Sequence, residues 1–287
     1  MQRERGLIVS VANSDDNIAR DSVVGIYLLF AEGQRPERHA IHKFAETNSS
    51  TTVTLDPAQR PALRVVEDDD TAASIAAAQA SARSSESDWV ELLRNGLTFD
   101  LEGLAPGEGF EVPETANFFD CPANFNVETS NAIRLSAGAH LAGSEGSLPV
   151  LRGLLGLARD LVQHFDQIST AIWPPSASAI GRRFFESTTT AWLDGGAFPA
   201  LGLTAFKETI DGGLESVGLE FLIGQELRIE PALVRDKVAA TRLGVRLINQ
   251  LVLTGKILQS EQIIAPDGQE LRIAPSQNGK YARLWSS

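Results

Sequence analysis

The run Thr170-Ala171-Ile172-Trp173 stops at two consecutive prolines, Pro174-Pro175, and no other feature of this chain limits its architecture as much. Apolar and β-branched residues bounded by proline read as a strand. Residues Ala177–Ala191 then read as a helix, weakened at its end by Thr188-Thr189-Thr190 because β-branched side chains lose rotamer freedom in a helix. The Gly-rich text that follows reads as strands at Leu201–Lys207, Val217–Ile223 and Glu226–Glu230, and Pro231 opens a last long helix. The second half is therefore predicted to run strand, helix, strands, helix.

Its earlier part fits the same alternation. Ala132–Leu141 reads as a strand. Ser147 is a helix cap with Pro149 in the first turn, and Leu151, Leu154, Leu155, Ala158, Leu161, Val162 and Phe165 form one helical apolar stripe. In the last long helix Val234, Val238, Val245, Ile248 and Val252 share a face, with Leu243, Leu247 and Leu251 apolar elsewhere. Asp267-Gly268 marks a hairpin turn between Ile263-Ile264 and Leu271–Ile273, and Lys280–Trp285 reads as a closing strand.

The first half is less regular. Val23–Phe30 is a continuous apolar run of strand length, Gly6–Val11 a weaker one, and Ala62–Val66 a short one. Pro36–Glu46 reads as a short helix, Thr71–Arg83 as an Ala-rich helix with little to bury, and Trp89–Leu93 as part of another helix. Residues 84–130 hold ten acidic residues against one basic, Arg94, and become loop-like after Gly103. Interleaved helices and strands with hairpins predict an α+β fold: two associated lobes, residues 1–128 and 129–287, with mixed or antiparallel sheets and helices packed on one face.

Composition narrows the function classes. The chain has 287 residues, 43% of them hydrophobic, and a net charge of −12. Phosphate contacts dominate nucleic-acid affinity, so an acidic chain without a dense basic surface is not expected to bind DNA or RNA. No apolar run of about 18 residues exists to span a membrane, and no signal-peptide pattern precedes Asn13. One cysteine, Cys121, excludes an internal disulfide and a thiolate zinc cluster. A cytoplasmic location is the expectation.

Ile133–Leu141, the helix after Leu148, Ile172-Trp173-Pro174-Pro175-Ser176 and Val217–Ile229 together carry a likeness to known sequences. Gly218, Leu219, Gly224, Glu226 and Leu227 supply its most specific pattern, and Asp267-Gly268 also fits. Over residues 132–264 the chain resembles a bacterial domain family of unknown function, of the DUF type. That family has no assigned activity, cofactor or catalytic residue, so the resemblance implies a fold and no chemistry.

Individual constellations are weak. His39 and His42 stand at i, i+3 but lack a metal-ligand signature, and Asp68-Asp69-Asp70 reads as helix-start chemistry. Asp160 and His164 read as a local helix pair. Cys121 beside Asp120 lacks a pKa-lowering neighbour, and no nucleophile elbow, phosphate loop or dinucleotide fingerprint occurs. No cofactor or metal is expected.

Two groups stand out. Trp173, Ser176, Arg182 and Arg183 would form an anion-binding rim at a strand end. Arg235, Arg242 and Arg246 line one helix face in a region, residues 231–287, with eight basic and four acidic residues. They would face an acidic partner, the simplest being the chain's own 84–130 segment. The leading expectation is a non-enzymatic binding or interaction module, accessory, regulatory or immunity-type, with a protein partner. A small-anion binding protein or enzyme at the Trp173–Ser176 rim is the alternative.

Overall fold

A computed structural model describes residues 24–59, 89–123, 125–127, 130–265 and 268–286. The readings at Gly6–Val11, Ala62–Val66, Asp68-Asp69-Asp70 and Thr71–Arg83, and residues Val23 and Asp267, lie outside them.

The fold is α+β, built on two sheets. The first orders its strands β2 (Thr52–Leu55), β3 (Trp89–Arg94), β4 (Leu97–Glu102), β6 (Ser130–Ala137), β1 (Gly25–Ala31), β7 (Thr170–Trp173), β8 (Ser178–Gly181) and β5 (Asn117–Phe119). The second orders β12 (Glu261–Ile264), β13 (Glu270–Pro275), β14 (Tyr281–Ser286), β11 (Glu226–Ile229), β10 (Leu214–Val217) and β9 (Ala205–Glu208). All pairings are antiparallel except β5 with β8 and β11 with β14. Strands from both sides of residue 128 share the first sheet.

Helix α1 (Arg38–Thr47) packs through Ile41 and Phe44. Helices α2 (Leu148–His164) and α3 (Arg182–Leu193) cover one face of the first sheet. A short turn α4 (Ala200–Leu203) and a one-turn helix α5 (Leu219–Ile223) lead to α6 (Lys237–Thr254), which covers one face of the second sheet. Buried side chains of both sheets, among them Leu135, Trp173, Leu227 and Leu284, belong to one continuous apolar cluster.

The far face of the first sheet is covered by the loop-like acidic segment itself. Phe110, Val112, Cys121 and Phe125 pack on Leu29, Ala132, Ile172 and Ala179. Arg35 donates to the Gly103 carbonyl and, at 2.6 Å, to that of Gly107. Arg134 pairs with Glu102 at 2.7 Å and lies 4.4 Å over the Phe110 ring. Apolar residues bind this segment down while Glu108, Glu111 and Glu114 face solvent.

Several local readings are corrected. Trp89–Leu93 is strand: Val90 and Leu92 are buried in a period-two pattern that pairs with β4. Residues 178–181 are also strand, because Ala177 turns left-handed (φ 47°) after the two prolines and sends the chain back antiparallel to β7. The helix begins at Arg182. The strand reading at Val217–Ile223 breaks at Gly218 (φ 92°), which starts α5, and that at Leu201–Lys207 holds only from Ala205. Pro231 opens a 3-10 turn; α6 starts at Lys237, where Asp236 accepts from the Val238 and Ala239 amides.

Candidate functional site

Residues 172–176 and 217–229 meet at the junction of the two sheets. Trp173 is 0% exposed, its ring 5.5 Å edge-on from Phe221 of α5. Ser176 is also fully buried, its hydroxyl bonded to the Gly202 carbonyl (2.8 Å) and the Ser178 hydroxyl (2.7 Å). A Cβ on Gly218 would stand 2.9 Å from that of Ser176. The Glu226 carboxylate accepts from the amides of Gly218 (2.8 Å), Leu219 (3.2 Å) and Glu220 (3.1 Å) and from the Ser216 hydroxyl (2.5 Å). Burial pushes the Glu226 carboxyl above its usual range against these donors. These residues form a joint between the two sheets.

The expected anion rim does not assemble. Trp173 pairs with Ser178 at one end of the β7–β8 hairpin, while Gly181 pairs with Thr170 at the other, so Arg182 begins at the end remote from Trp173. Reading residues 177–181 as helix had placed them close. The Arg182 guanidinium donates to the carbonyls of Phe165 (2.8 Å) and Ile168 (3.2 Å) and pairs with Asp166 (3.1 Å), which fastens the α2–β7 connection. Arg183 is exposed on α3.

A second group surrounds Asp56, whose side chain is 4% exposed. It pairs with Arg38 at 3.1 Å and with His42 Nε2 at 2.8 Å, and accepts from the Ala58 amide. The adjoining open cavity of about 710 Å³ is lined by Glu37, His39, Lys43 and Glu46 as well, so both charge signs are mixed, and among the described residues that line it there is no hydroxyl or thiol nucleophile. Asp56 fastens the turn at Pro57–Gln59 to α1. Among the described residues no group of His, Cys, Asp and Glu can hold a metal ion. His164 packs edge-on against Phe44 and Phe165 rather than pairing with Asp160, which binds Arg94, Arg159 (2.8 Å) and Asn48 (3.0 Å). Cys121 donates to the Ala179 carbonyl (3.3 Å), and burial raises its thiol pKa.

The third group is the solvent face of α6. The helix buries Ala240, Gly244, Leu247, Ile248, Leu251 and Val252 against the sheet. Gly244 permits this approach, since a Cβ there would meet the Phe206 ring at 2.6 Å. Val238, expected on the buried face, lies in the first turn and is 59% exposed. Opposite the buried stripe, Arg242 and Arg246 are exposed, and Leu253 stands 74% exposed near the helix end; Arg235, expected on the same helix face, is exposed in the connection that precedes Lys237, because the helix starts later than Pro231. Lys237 is bound to Glu208 at 2.7 Å. No ion pair joins the three arginines to a carboxylate among the described residues. The expected internal pairing with the 84–130 acids is not among the ion pairs there, whose members from that segment are Glu102 with Arg134 and Arg94 with Asp160.

Beside this face, α6 and the β12–β13 hairpin enclose a cavity of about 250 Å³. Arg242 and Arg246 stand at its wall, with Leu233, Ala240, Leu243 and Ala265 as the apolar lining. Two guanidinium groups one helical turn apart over an apolar floor can hold carboxylates and an apolar anchor together. Sequence reasoning found the arginines but not the cavity, because the cavity depends on where the hairpin docks against the helix.

The opposite face of the second sheet is polar and solvated. Lys207, Glu215, Arg228, Glu230 and Arg283 form a ladder of ion pairs across it. No described helix is long and apolar enough to cross a membrane. No family model, no curated protein and no solved structure matches this chain.

Proposed function

We propose that the chain is a non-enzymatic interaction module that engages an acidic protein partner through the solvent face of α6. The observation that carries this reading is the arginine stripe. Arg242 and Arg246 of α6, with Arg235 just before the helix, stand exposed, without a carboxylate partner among the described residues, in a chain of net charge −12. Like charges at i, i+4 oppose one another by a few tenths of a kcal/mol, and a partner surface bearing carboxylates removes that cost. Arginine beside exposed apolar side chains is also the composition favoured at protein interfaces. Kinship with the DUF-type family is part of the proposal, as a statement about architecture.

The test is charge reversal. The tagged chain and its Arg242→Glu/Arg246→Glu variant are used to capture proteins from source-cell lysate at low and moderate salt. The proposal expects a stoichiometric partner that the variant loses and that salt weakens, since exposed charges are screened within about 10 Å at 0.1 M. Capture indifferent to the substitutions would remove the α6 face from consideration.

A further inference from the structure

We infer that the partner segment is an extended strand that joins the free edge of β12 and lies in the seam between β12 and α6; this rests on the interaction reading above and specifies its occupant.

Among the described residues, strand β12 ends the second sheet and pairs only with β13, in the register Glu261↔Ile273 through Ile264↔Glu270. The Ala265 amide donates to the Gln269 carbonyl at 2.9 Å, which fixes residue 265 as a hydrogen-bonded position. Alternation along an antiparallel ladder then turns the main-chain groups of Glu261 and Ile263 toward β13, and those of Gln262 and Ile264 outward. Among the described residues no hydrogen bond uses these outward groups. The strand carries no lysine, proline or bulge; its guards are its length of four residues and the charge of Glu261 at its start, which leave the Gln262–Ile264 stretch open to a short added strand.

Two cavities open in the seam between β12 and α6. At the Glu261 end one of about 190 Å³ is walled by Leu247, Leu251, Ile257, Ile263 and Ile273, with Lys256 and Glu261 of opposite charge at its margin. At the Ala265 end lies the 250 Å³ cavity of Arg242 and Arg246. Strand β12 runs antiparallel to α6, so the two follow one another: a mainly apolar end near Thr254, where Lys256 and Glu261 balance in charge, and a cationic end near Arg242. Leu258 (78% exposed) and Ile264 (77% exposed) flank the edge.

An added strand would direct alternate side chains toward α6 and the rest to solvent. Its main chain would bond to Gln262 and Ile264, and its side chains would select by what fills the seam. The ligand class is therefore an extended peptide with small apolar residues at alternate positions and a carboxylate at the end that reaches Arg242 and Arg246.

The probe is a displayed library of random decapeptides selected on the full chain. Enriched peptides are then titrated against wild type, Gln262→Pro and Arg242→Glu/Arg246→Glu. Gln262→Pro removes an outward amide that β13 does not use, a place where an edge strand accepts proline. Circular dichroism checks that the variant is folded, and hydrogen exchange of the Gln262 and Ile264 amides in wild type reports strand addition without any substitution. The expected result is enrichment of alternating apolar peptides with an acidic end. Affinity should fall by about tenfold or more in both variants, and both amides should exchange more slowly when peptide is bound. Peptides that bind Gln262→Pro as wild type, leave the two amides unprotected and fail on the double arginine variant would overturn strand addition and leave the α6 reading standing. No enrichment, or binding indifferent to both variants, would overturn both.

Discussion

Gly218 and Glu226 lie eight residues apart and serve one turn of chain. Gly218 takes φ 92° and leaves no room for a side chain against Ser176 and Pro175. Glu226 satisfies the amides that the same turn exposes at the start of α5. Gly218→Ala is expected to lose about 1–3 kcal/mol in urea denaturation, through backbone strain and the close contact together. Asp160 makes a second prediction at this scale. Burial opposes its charge, but hydrogen bonds from Asn48 and Arg94 and the attraction of Arg94 outweigh it and hold the carboxyl below its usual range. Removing it strands a buried guanidinium, so Asp160→Ala should cost about 3–5 kcal/mol. A depressed folded value stabilises the fold above the unfolded pKa of about 3.9, and the benefit is lost as pH falls through the folded value. Denaturation of wild type should therefore steepen in acid below that point, and the variant should lack that component. Equal acid slopes would show that the pair is worth less than its geometry implies.

At the level of elements, periodicity made most helices and several strands legible. The α2 stripe is buried as its spacing predicts, and β1, β7, β11 and β14 appear near their expected places. The errors share a cause. Trp89–Leu93 and residues 178–181 carry side chains that suit either a helix or a strand, and their neighbours decide: β4 pairs the first and β7 the second. The left-handed turn at Ala177 carries no glycine to announce it. Spacing places Arg242 and Arg246 on one face of α6 but not Arg235, which precedes the helix, and the anion rim fails because residues 178–181 are strand, which puts Arg182 at the far end of a hairpin from Trp173. Since Arg242 and Arg246 are exposed and make no ion pair among the described residues, Arg242→Glu/Arg246→Glu should change stability by no more than about 0.5 kcal/mol. A larger loss would mean that these side chains support the fold rather than a partner.

Across the whole molecule, the two sheets are joined through one apolar cluster in which Trp173 of the first sheet meets Phe221 beside the second. A shared core argues for shared unfolding. Urea denaturation followed by far-ultraviolet circular dichroism and by tryptophan fluorescence should give coincident transitions, and Leu219→Ala should shift both by the same amount, about 2–5 kcal/mol for a fully buried leucine. Two separated transitions would show that the joint is weaker than its packing. The joint also bears on variation. Trp173, Ser176, Gly218 and Glu226 hold the two halves together, so a substitution at any of them acts on both sheets at once. The outer faces carry no such duty, and change written there leaves the seam undisturbed.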